Sequence, residues 1–441
     1  MSTATISKKK VYMETYGCQM NVSDTEIVTG ILENTNHEMT AEMDKADVIL
    51  LNTCSIRENA ETRVVGRLSS MQPLKERNPN LVVGILGCMA EHQGENIVKE
   101  SPIVDLVVGP DQYRKLPELI DKEKAENTPH YELDLSKFET YSDIYPTRKE
   151  GVTGWITITR GCNNFCTYCV VPYTRGRERS RSVAEIVDEA KKLRDEGFKE
   201  IYLLGQNVNS YKHDGSDFAD LLDAVARIDG IRRIKYITSH PKDFNEKLVD
   251  VIAANANISR YLHLPFQAGN DRILKKMNRR HKIEEYLKKI EYIHKQIPDV
   301  GLSTDIIVGY PTETYEEFQD TLMVCRESRF DSAFVFKYSP REGTKAYKLH
   351  EDDIPEEEKV RRLMECDQLV RSMALENYKK IIGTKQTILV EQVSKKNTEE
   401  LMGKMDRGLP TVIPKMDYKI GDFVDVEILE NRTFTFVGKP L

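Results

Sequence analysis

The chain has 441 residues, with 64 Lys and Arg against 71 Asp and Glu, a net charge of −7. At roughly 150 residues per domain that length fits about three domains, and 39% hydrophobic with 31% charged residues gives material for several globular cores. The longest apolar stretches, such as 81–86, have strand length and exclude a membrane helix of roughly 18 residues. The polar, lysine-tipped start lacks the apolar segment of a secretory signal. A cytoplasmic protein without a membrane partner is expected. The mild acidity excludes a uniformly basic chain but not one basic face for nucleic acid.

In chain order, β-branched runs at 11–15, 47–52, 81–87 and 104–109 read as buried strands, with helical periods at 59–77 and 113–121. Strands alternating with helices predict a parallel, doubly wound α/β sheet. From 122 to about 149 the sequence turns polar and loses its period, which reads as a linker. A second series follows, with strands at 154–159, 200–205, 233–238, 260–264, 301–309 and 331–338. Six such units predict a partial (βα)6 barrel. A long charged helix over 355–382 leads out. Short alternating strands at 387–393, 421–429 and 433–438 then predict a small antiparallel β-barrel. The expected domains are 1–125, a linker 126–148, 149–378 and 379–441.

Eight cysteines without an export signal are metal ligands or catalytic groups rather than a disulfide framework. Cys162, Cys166 and Cys169 lie in one tight loop after the first barrel strand, where such barrels place their catalytic groups. Three thiols can hold an iron–sulfur cube with one iron left open, since a complete set is four. A zinc knuckle and three incidental cysteines are the alternatives, although zinc usually takes a fourth Cys or His and none follows before His213. Cys18, Cys54 and Cys88 are 36 and 34 positions apart. Each follows a predicted strand, and parallel strands of a doubly wound sheet end on one shared edge. These three therefore predict a second open cluster, against the alternative of three buried structural cysteines. Cys325 and Cys366 share no pattern and are expected in the core. His240 and His263, at strand ends, line a pocket or serve the core.

The spacing of the 162–169 loop, with Tyr168 before the last cysteine, resembles the signature of the radical S-adenosylmethionine (SAM) enzymes. The resemblance implies a cluster whose open iron chelates the methionine end of SAM and cleaves its sulfonium to a 5′-deoxyadenosyl radical. It implies that Tyr168 lies near the adenine. It places Gly205, Gln206 and Asn207 at the family's methionine-binding motif, where an acidic residue is usual. Ser239, Ile307 and Gly309 at later strand ends are further SAM candidates, and read equally as turn and strand residues.

Two clusters in one chain resemble the methylthiotransferases over essentially the whole length: a flavodoxin-like N-terminal domain, a radical SAM domain and a terminal module similar to a TRAM domain. The stretches Thr15-Tyr16-Gly17-Cys18-Gln19-Met20-Asn21, Asn52-Thr53-Cys54-Ser55-Ile56-Arg57, Gly87-Cys88-Met89-Ala90-Glu91 and His263-Leu264-Pro265-Phe266-Gln267-Ala268-Gly269-Asn270 resemble the MiaB-type branch, which modifies isopentenylated adenosine in tRNA. So does the run from Val170 to Glu178. The threonylcarbamoyladenosine and ribosomal-protein branches begin Leu-Gly-Cys at the first cysteine instead. The resemblance implies methylthio insertion at C2 of N6-isopentenyladenosine beside the anticodon, with two 4Fe–4S clusters and two SAM. It implies a monomer served by unidentified electron and sulfur donors. Carbon 2 is an unactivated C–H, which calls for cofactor radical chemistry rather than acid–base catalysis. The alternatives are the same chemistry on threonylcarbamoyladenosine or a ribosomal-protein aspartate, or a non-catalytic iron–sulfur RNA-binding regulator.

Arg175, Arg177, Arg179 and Arg181 alternate after the radical motif and are candidates to meet phosphates of the tRNA anticodon stem-loop; a solvated basic strand is the alternative. In the terminal module Lys404 and Arg407, with Lys395, Lys396 and Lys415, are the candidate RNA contacts. Lys275, Lys276, Arg279 and Arg280 are weaker ones.

Overall fold

The computed structural model describes residues 8–55, 58–122, 128–148 and 151–441. Ile56 and Arg57 of the second cysteine motif, the first seven residues of the expected non-signal start, and the expected boundary positions 125, 126 and 149 lie outside them. The chain divides into two compact units, Met1–Lys149 with Thr159–Phe165 and Cys169–Arg181, and Glu150–Ile158 with Cys166–Tyr168 and Ser182–Leu441.

In the first unit β1 (Lys9–Tyr16), β2 (His37–Met39), β3 (Val48–Thr53), β4 (Val82–Gly87), β5 (Leu106–Val108) and β6 (His130–Glu132) form one sheet in the order β2-β1-β3-β4-β5-β6. Every described pairing is parallel. Strand β3 is buried throughout because the sheet is covered on both sides: Val48 and Leu50 pack with Ile27, Val28 and Leu32, while Ile49 and Leu51 pack with Val64, Leu68 and Met71. The covering helices are α1 (Gln19–Glu33), α2 (Glu58–Arg77), α3 (Cys88–Glu100) and α4 (Leu116–Asp121). The register levels the strand ends, with Tyr16 opposite Thr53 and Thr53 opposite Gly87.

The linker expected over 126–148 is corrected. Its residues 130–132 add β6 to the sheet, and Tyr141 is buried against Tyr113 with ring centroids 5.7 Å apart. Lack of a helical or alternating period hid a segment anchored by a three-residue edge strand and one aromatic ring.

In the second unit β7 (Thr153–Thr157), β8 (Glu200–Leu204) and β9 (Arg233–Tyr236) form one parallel sheet, and β10 (Tyr261–His263), β11 (Gly301–Val308) and β12 (Ser332–Lys337) another. A parallel bridge from Ile234 to Ile258 links them, giving six parallel strands as expected of a partial barrel. Ile201, Ile234, Ile306 and Val308 lie in one buried core with Cys325 and Cys366. The helix Glu356–Lys379 leads to a closed barrel of β13 (Lys385–Val393), β14 (Glu400–Met405), β15 (Pro410–Pro414), β16 (Phe423–Arg432) and β17 (Thr435–Pro440), ordered β13-β14-β15-β17-β16. The barrel is antiparallel except where β15 meets β17, a parallel pair that closes it. Strands β14 and β15 went unpredicted, because Met402, Gly403 and Lys404 break the alternation in one and prolines bound the other.

Candidate cofactor sites

Cys18, Cys54 and Cys88 sit at the three level strand ends of the first unit. Cys18 caps α1, Cys54 follows β3, and Cys88 opens α3. Amide side chains fix the loops between them. Asn21 Oδ1 accepts the Cys18 N–H at 3.3 Å, and Asn21 Nδ2 donates to Asn52 Oδ1 at 3.2 Å and the Thr53 carbonyl at 3.1 Å. Asn52 Nδ2 returns a bond to the Asn21 carbonyl at 2.9 Å, and Thr53 Oγ1 donates to the Leu86 carbonyl at 2.7 Å. Gly87, at φ +90°, leaves no room for a side chain, since a Cβ would lie 2.6 Å from both Asn52 Oδ1 and the Thr53 carbonyl oxygen.

The electrostatics favour anionic sulfur on one side of this site. The Cys18 thiol is brought down to about 6, chiefly by its hydrogen bond with Cys54, with the Arg175 charge and the amides of Met20 and Asn21 assisting. Burial pushes Cys88 up, and Arg175 opposes this. Arg175 Nε donates to Cys88 Sγ at 3.0 Å, and its Nη2 donates to Asp24 Oδ2 at 2.7 Å. Among the described residues no three His, Cys, Asp or Glu side chains close round a point as for a single metal ion. A cube held by cysteine thiolates is a larger object with the sulfurs at separate corners. Level thiols, glycine clearance and a buried arginine turned to the sulfurs fit it.

Arg175 and Arg179 are corrected as phosphate contacts. Both are buried, with 4% and 7% exposure, and Arg179 pairs with Asp111 through two bonds of 3.0 Å. Arg160 joins them, donating to Asp24 Oδ1 at 2.8 Å and the Pro110 carbonyl at 3.0 Å under the Tyr141 ring. These ion pairs hold residues 159–165 and 169–181 within the sheet unit. Arg181 is also buried, whereas Arg177 is exposed, 4.6 Å over the Phe165 ring.

The radical loop has no regular structure between Gly161 and Val170. Cys162 is buried in the first unit, its N–H donating to the Gly176 carbonyl at 3.1 Å, and Cys169 there is half-buried. In the second unit Arg279 Nη1 lies 3.6 Å from Cys166 Sγ and its Nη2 donates to the Pro265 carbonyl at 2.7 Å, so Arg279 too is a buried sulfur partner rather than an RNA contact. Thr167 anchors this part of the loop to Tyr310 and the Lys276 carbonyl, both at 2.9 Å, and Tyr168 packs on the core.

Gly205, Gln206 and Asn207 follow β8 directly, as expected. Asn207 Nδ2 donates to Asp243 at 2.8 Å, and its buried Oδ1 has no protein partner among the described residues. Ser239 Oγ, His240 Nε2, His281 Nε2 and Arg279 Nε are likewise buried without one, and the two histidine rings lie 5.8 Å apart. Burial depresses both imidazoles, His281 to about 4, so they are neutral at pH 7. So many orphaned polar atoms near one barrel end suit a polar ligand such as SAM. Ile307 is half-buried with its N–H donating to the Gln267 carbonyl at 2.8 Å; the Gly309 N–H is taken by Glu313 at 2.7 Å. His263 is held by Ser303 at 2.9 Å and Asp305 at 3.4 Å.

In the terminal barrel Lys404 is partly exposed, 3.3 Å from Glu391. Arg407 is corrected as an RNA contact: it pairs with Asp331 at 2.7 Å and the Val300 carbonyl at 3.1 Å, packing the barrel against the preceding domain within this unit. Sequence reasoning gives no role to Asp24 and His281, gives Asn21 and Asn52 only as part of the cysteine stretches, and offers Arg279 only as a weak RNA candidate. A signal existed for Asp24, which interrupts the core-facing stripe of Met20, Ile27 and Ile31 in α1, and an acid there needs a buried cation.

This barrel with its three-cysteine loop defines a radical SAM protein. The Radical SAM superfamily model matches residues 156–325, that of Uncharacterized protein family UPF0004 matches 10–109, and the TRAM domain model matches 379–441. Among solved structures, the radical SAM methyltransferase TsrM from Kitasatospora setae has a TM-score of 0.60 at 14% identity over 77% of each chain. The radical enzyme OxsB has 0.53 at 11%, over 83% of this chain and 56% of its own. At such identity the likeness is one of fold. The chain belongs to the family of the tRNA-2-methylthio-N(6)-dimethylallyladenosine synthases. The relative of that name from Chloroherpeton thalassium is 46% identical over 100% of this chain and 98% of its own, and that from Parabacteroides distasonis 45% identical over 98% and 96%.

Proposed function

We propose that this chain inserts a methylthio group at C2 of N6-isopentenyladenosine next to the anticodon of tRNA, using two 4Fe–4S clusters and two SAM. The observation that carries the reading is three cysteines on level strand ends, in a chain 46% identical along its whole length to a relative named for that product. Bound at Cys162, Cys166 and Cys169, the cluster with SAM supplies the radical chemistry that opens an unactivated C–H bond. The protein supplies position. Arg279 and Thr167 steady the loop around Cys166 and Tyr168, while Asn207, Ser239 and His240 present buried polar atoms for SAM. The neutral imidazoles of His240 and His281 offer hydrogen bonding without added positive charge. Cys18, Cys54 and Cys88 hold the sulfur-bearing cluster, with the Asn21–Asn52 bonds fixing their spacing. The target base must leave its stack to react. Exposed Arg177, partly exposed Lys404 and exposed Lys395, Lys396 and Lys415 are basic side chains offered to RNA phosphates. The enzyme works as a cytoplasmic monomer on the anticodon stem-loop, and its electron and sulfur donors come from outside the chain.

The test is anaerobic incubation of reconstituted protein with reductant, SAM and synthetic anticodon stem-loops bearing adenosine, isopentenyladenosine or threonylcarbamoyladenosine. Methylthio product on the isopentenyl substrate alone, accompanied by 5′-deoxyadenosine, is expected. Product on the threonylcarbamoyl substrate instead overturns the substrate assignment, and absence of 5′-deoxyadenosine overturns the enzyme reading.

A further inference from the structure

We propose that Arg175 is a positioning residue that raises the reduction potential of the cluster on Cys18, Cys54 and Cys88, by holding its guanidinium charge and an open N–H donor against its sulfur. The proposal rests on reading those three cysteines as cluster ligands, and goes beyond it by giving the site a dedicated electrostatic partner.

The geometry lies wholly within the first unit. Arg175 is 4% exposed and carries a fork of N–H donors. Nε is spent on Cys88 Sγ at 3.0 Å and Nη2 on Asp24 at 2.7 Å. Nη1 is buried and has no partner among the described residues. A buried guanidinium edge without an acceptor is costly, and its natural complement is an anionic atom beside Cys88.

Charge balance points the same way. Asp24 is shared between Arg175 and Arg160, and Asp111 is paired with Arg179 at 3.0 Å and lies 3.9 Å from Arg160. Three guanidinium groups therefore meet two carboxylates, all of them buried. Of the three, Arg175 is the one that touches the thiol. A 4Fe–4S cube on three thiolates is a net anion, and one added electron makes it more so, with no bond made or broken. A cation and N–H···S bonds at the sulfurs stabilise the reduced form more than the oxidised one, so the potential rises. A purely structural Arg175 would close its charge against Asp24 alone. Here Arg160 already takes the other oxygen of that carboxylate.

The test uses the full chain with Cys162, Cys166 and Cys169 changed to Ala, so that one cluster remains, and reads its midpoint potential by EPR during titration with dithionite. In that background Arg175→Gln should lower the reduced-to-oxidised ratio at fixed potential at least tenfold, 59 mV for one electron. Asp24→Asn, which removes the counter-charge and leaves Arg175 in place, should move the potential the opposite way. Arg175→Lys should stay nearer the parent than Arg175→Gln. A structural role predicts no such split in sign. Potentials of Arg175→Gln and Asp24→Asn within twofold of the parent ratio, or shifted in the same direction, overturn the proposal. If Arg175→Gln fails to retain iron, the sign of Asp24→Asn against Arg175→Lys decides. A parent chain that binds no iron at Cys18, Cys54 and Cys88 overturns the cluster reading itself, a result separate from iron that binds with an unmoved potential.

Discussion

Replacing Arg160 by Met removes a side chain that is 1% exposed and reaches Asp24 at 2.8 Å, the Pro110 carbonyl at 3.0 Å and Asp111 at 3.9 Å. Breaking a buried pair by deleting one partner costs about 3–5 kcal/mol, because the remaining charge stays desolvated. Asp24 keeps Arg175 at 2.7 Å and Asp111 keeps Arg179 at 3.0 Å, so the loss belongs at the lower end, about 3 kcal/mol. For a unit of 150–250 residues each kcal/mol shifts the midpoint by roughly 2–4 °C, so its melting transition should fall by roughly 6–12 °C. Calorimetry or near-ultraviolet dichroism on the cluster-free chain measures this, with Arg160→Lys as a milder control. The two arginines hold Asp24 below the usual carboxylate range, and that contribution to stability is lost as pH falls through its folded value. Arg160→Met should therefore move acid unfolding to higher pH. A variant that melts within 1 °C of the parent, with the same acid limb, would refute the account of how residues 159–181 are held.

Gly87→Ala forces a Cβ to 2.6 Å from Asn52 Oδ1 and the Thr53 carbonyl at φ +90°, a strain of order 1–3 kcal/mol beside Cys88; iron and sulfide per chain after reconstitution should fall, and full loading would count against it. Burial and the nearby Asp111 and Asp134 raise Glu91 to about 8, so its carboxyl stays protonated in the fold while the unfolded chain ionises above its ordinary value of 4.5. Stability should then fall from about pH 4.5 to 8 and level off above, and Glu91→Gln should flatten that slope in urea titrations across the range. Lys404→Ala should reduce the salt slope of stem-loop binding by about one. Arg407→Ala should leave that slope unchanged and lower the melting point, because its partners are Asp331 and the Val300 carbonyl.

Strand positions were legible in the sequence because a parallel sheet buried on both faces demands unbroken runs such as Val48–Thr53; in the partial barrel Gly301–Val308 follows the same rule, whereas Ser332–Lys337 does not, with Phe334 50% exposed. The placement of Cys18, Cys54 and Cys88 at one sheet edge was legible because these residues follow parallel strands of matched register. The arginines misled, since alternation along 175–181 looks the same for a solvated strand and for side chains turned into a buried Asp24 and Asp111. Their partners lie more than sixty positions away, at a distance where no local period carries information. His281 and Arg279 were hidden for the same reason: their neighbours His240 and Cys166 come from separate stretches of the chain.

The Asn21–Asn52 exchange and the Thr53–Leu86 bond join the corners that carry Cys18, Cys54 and Cys88 through amide and hydroxyl groups alone. A centre proposed on these thiols would be spaced by bonds that involve no ligand, so its loss would leave those spacing bonds unbroken.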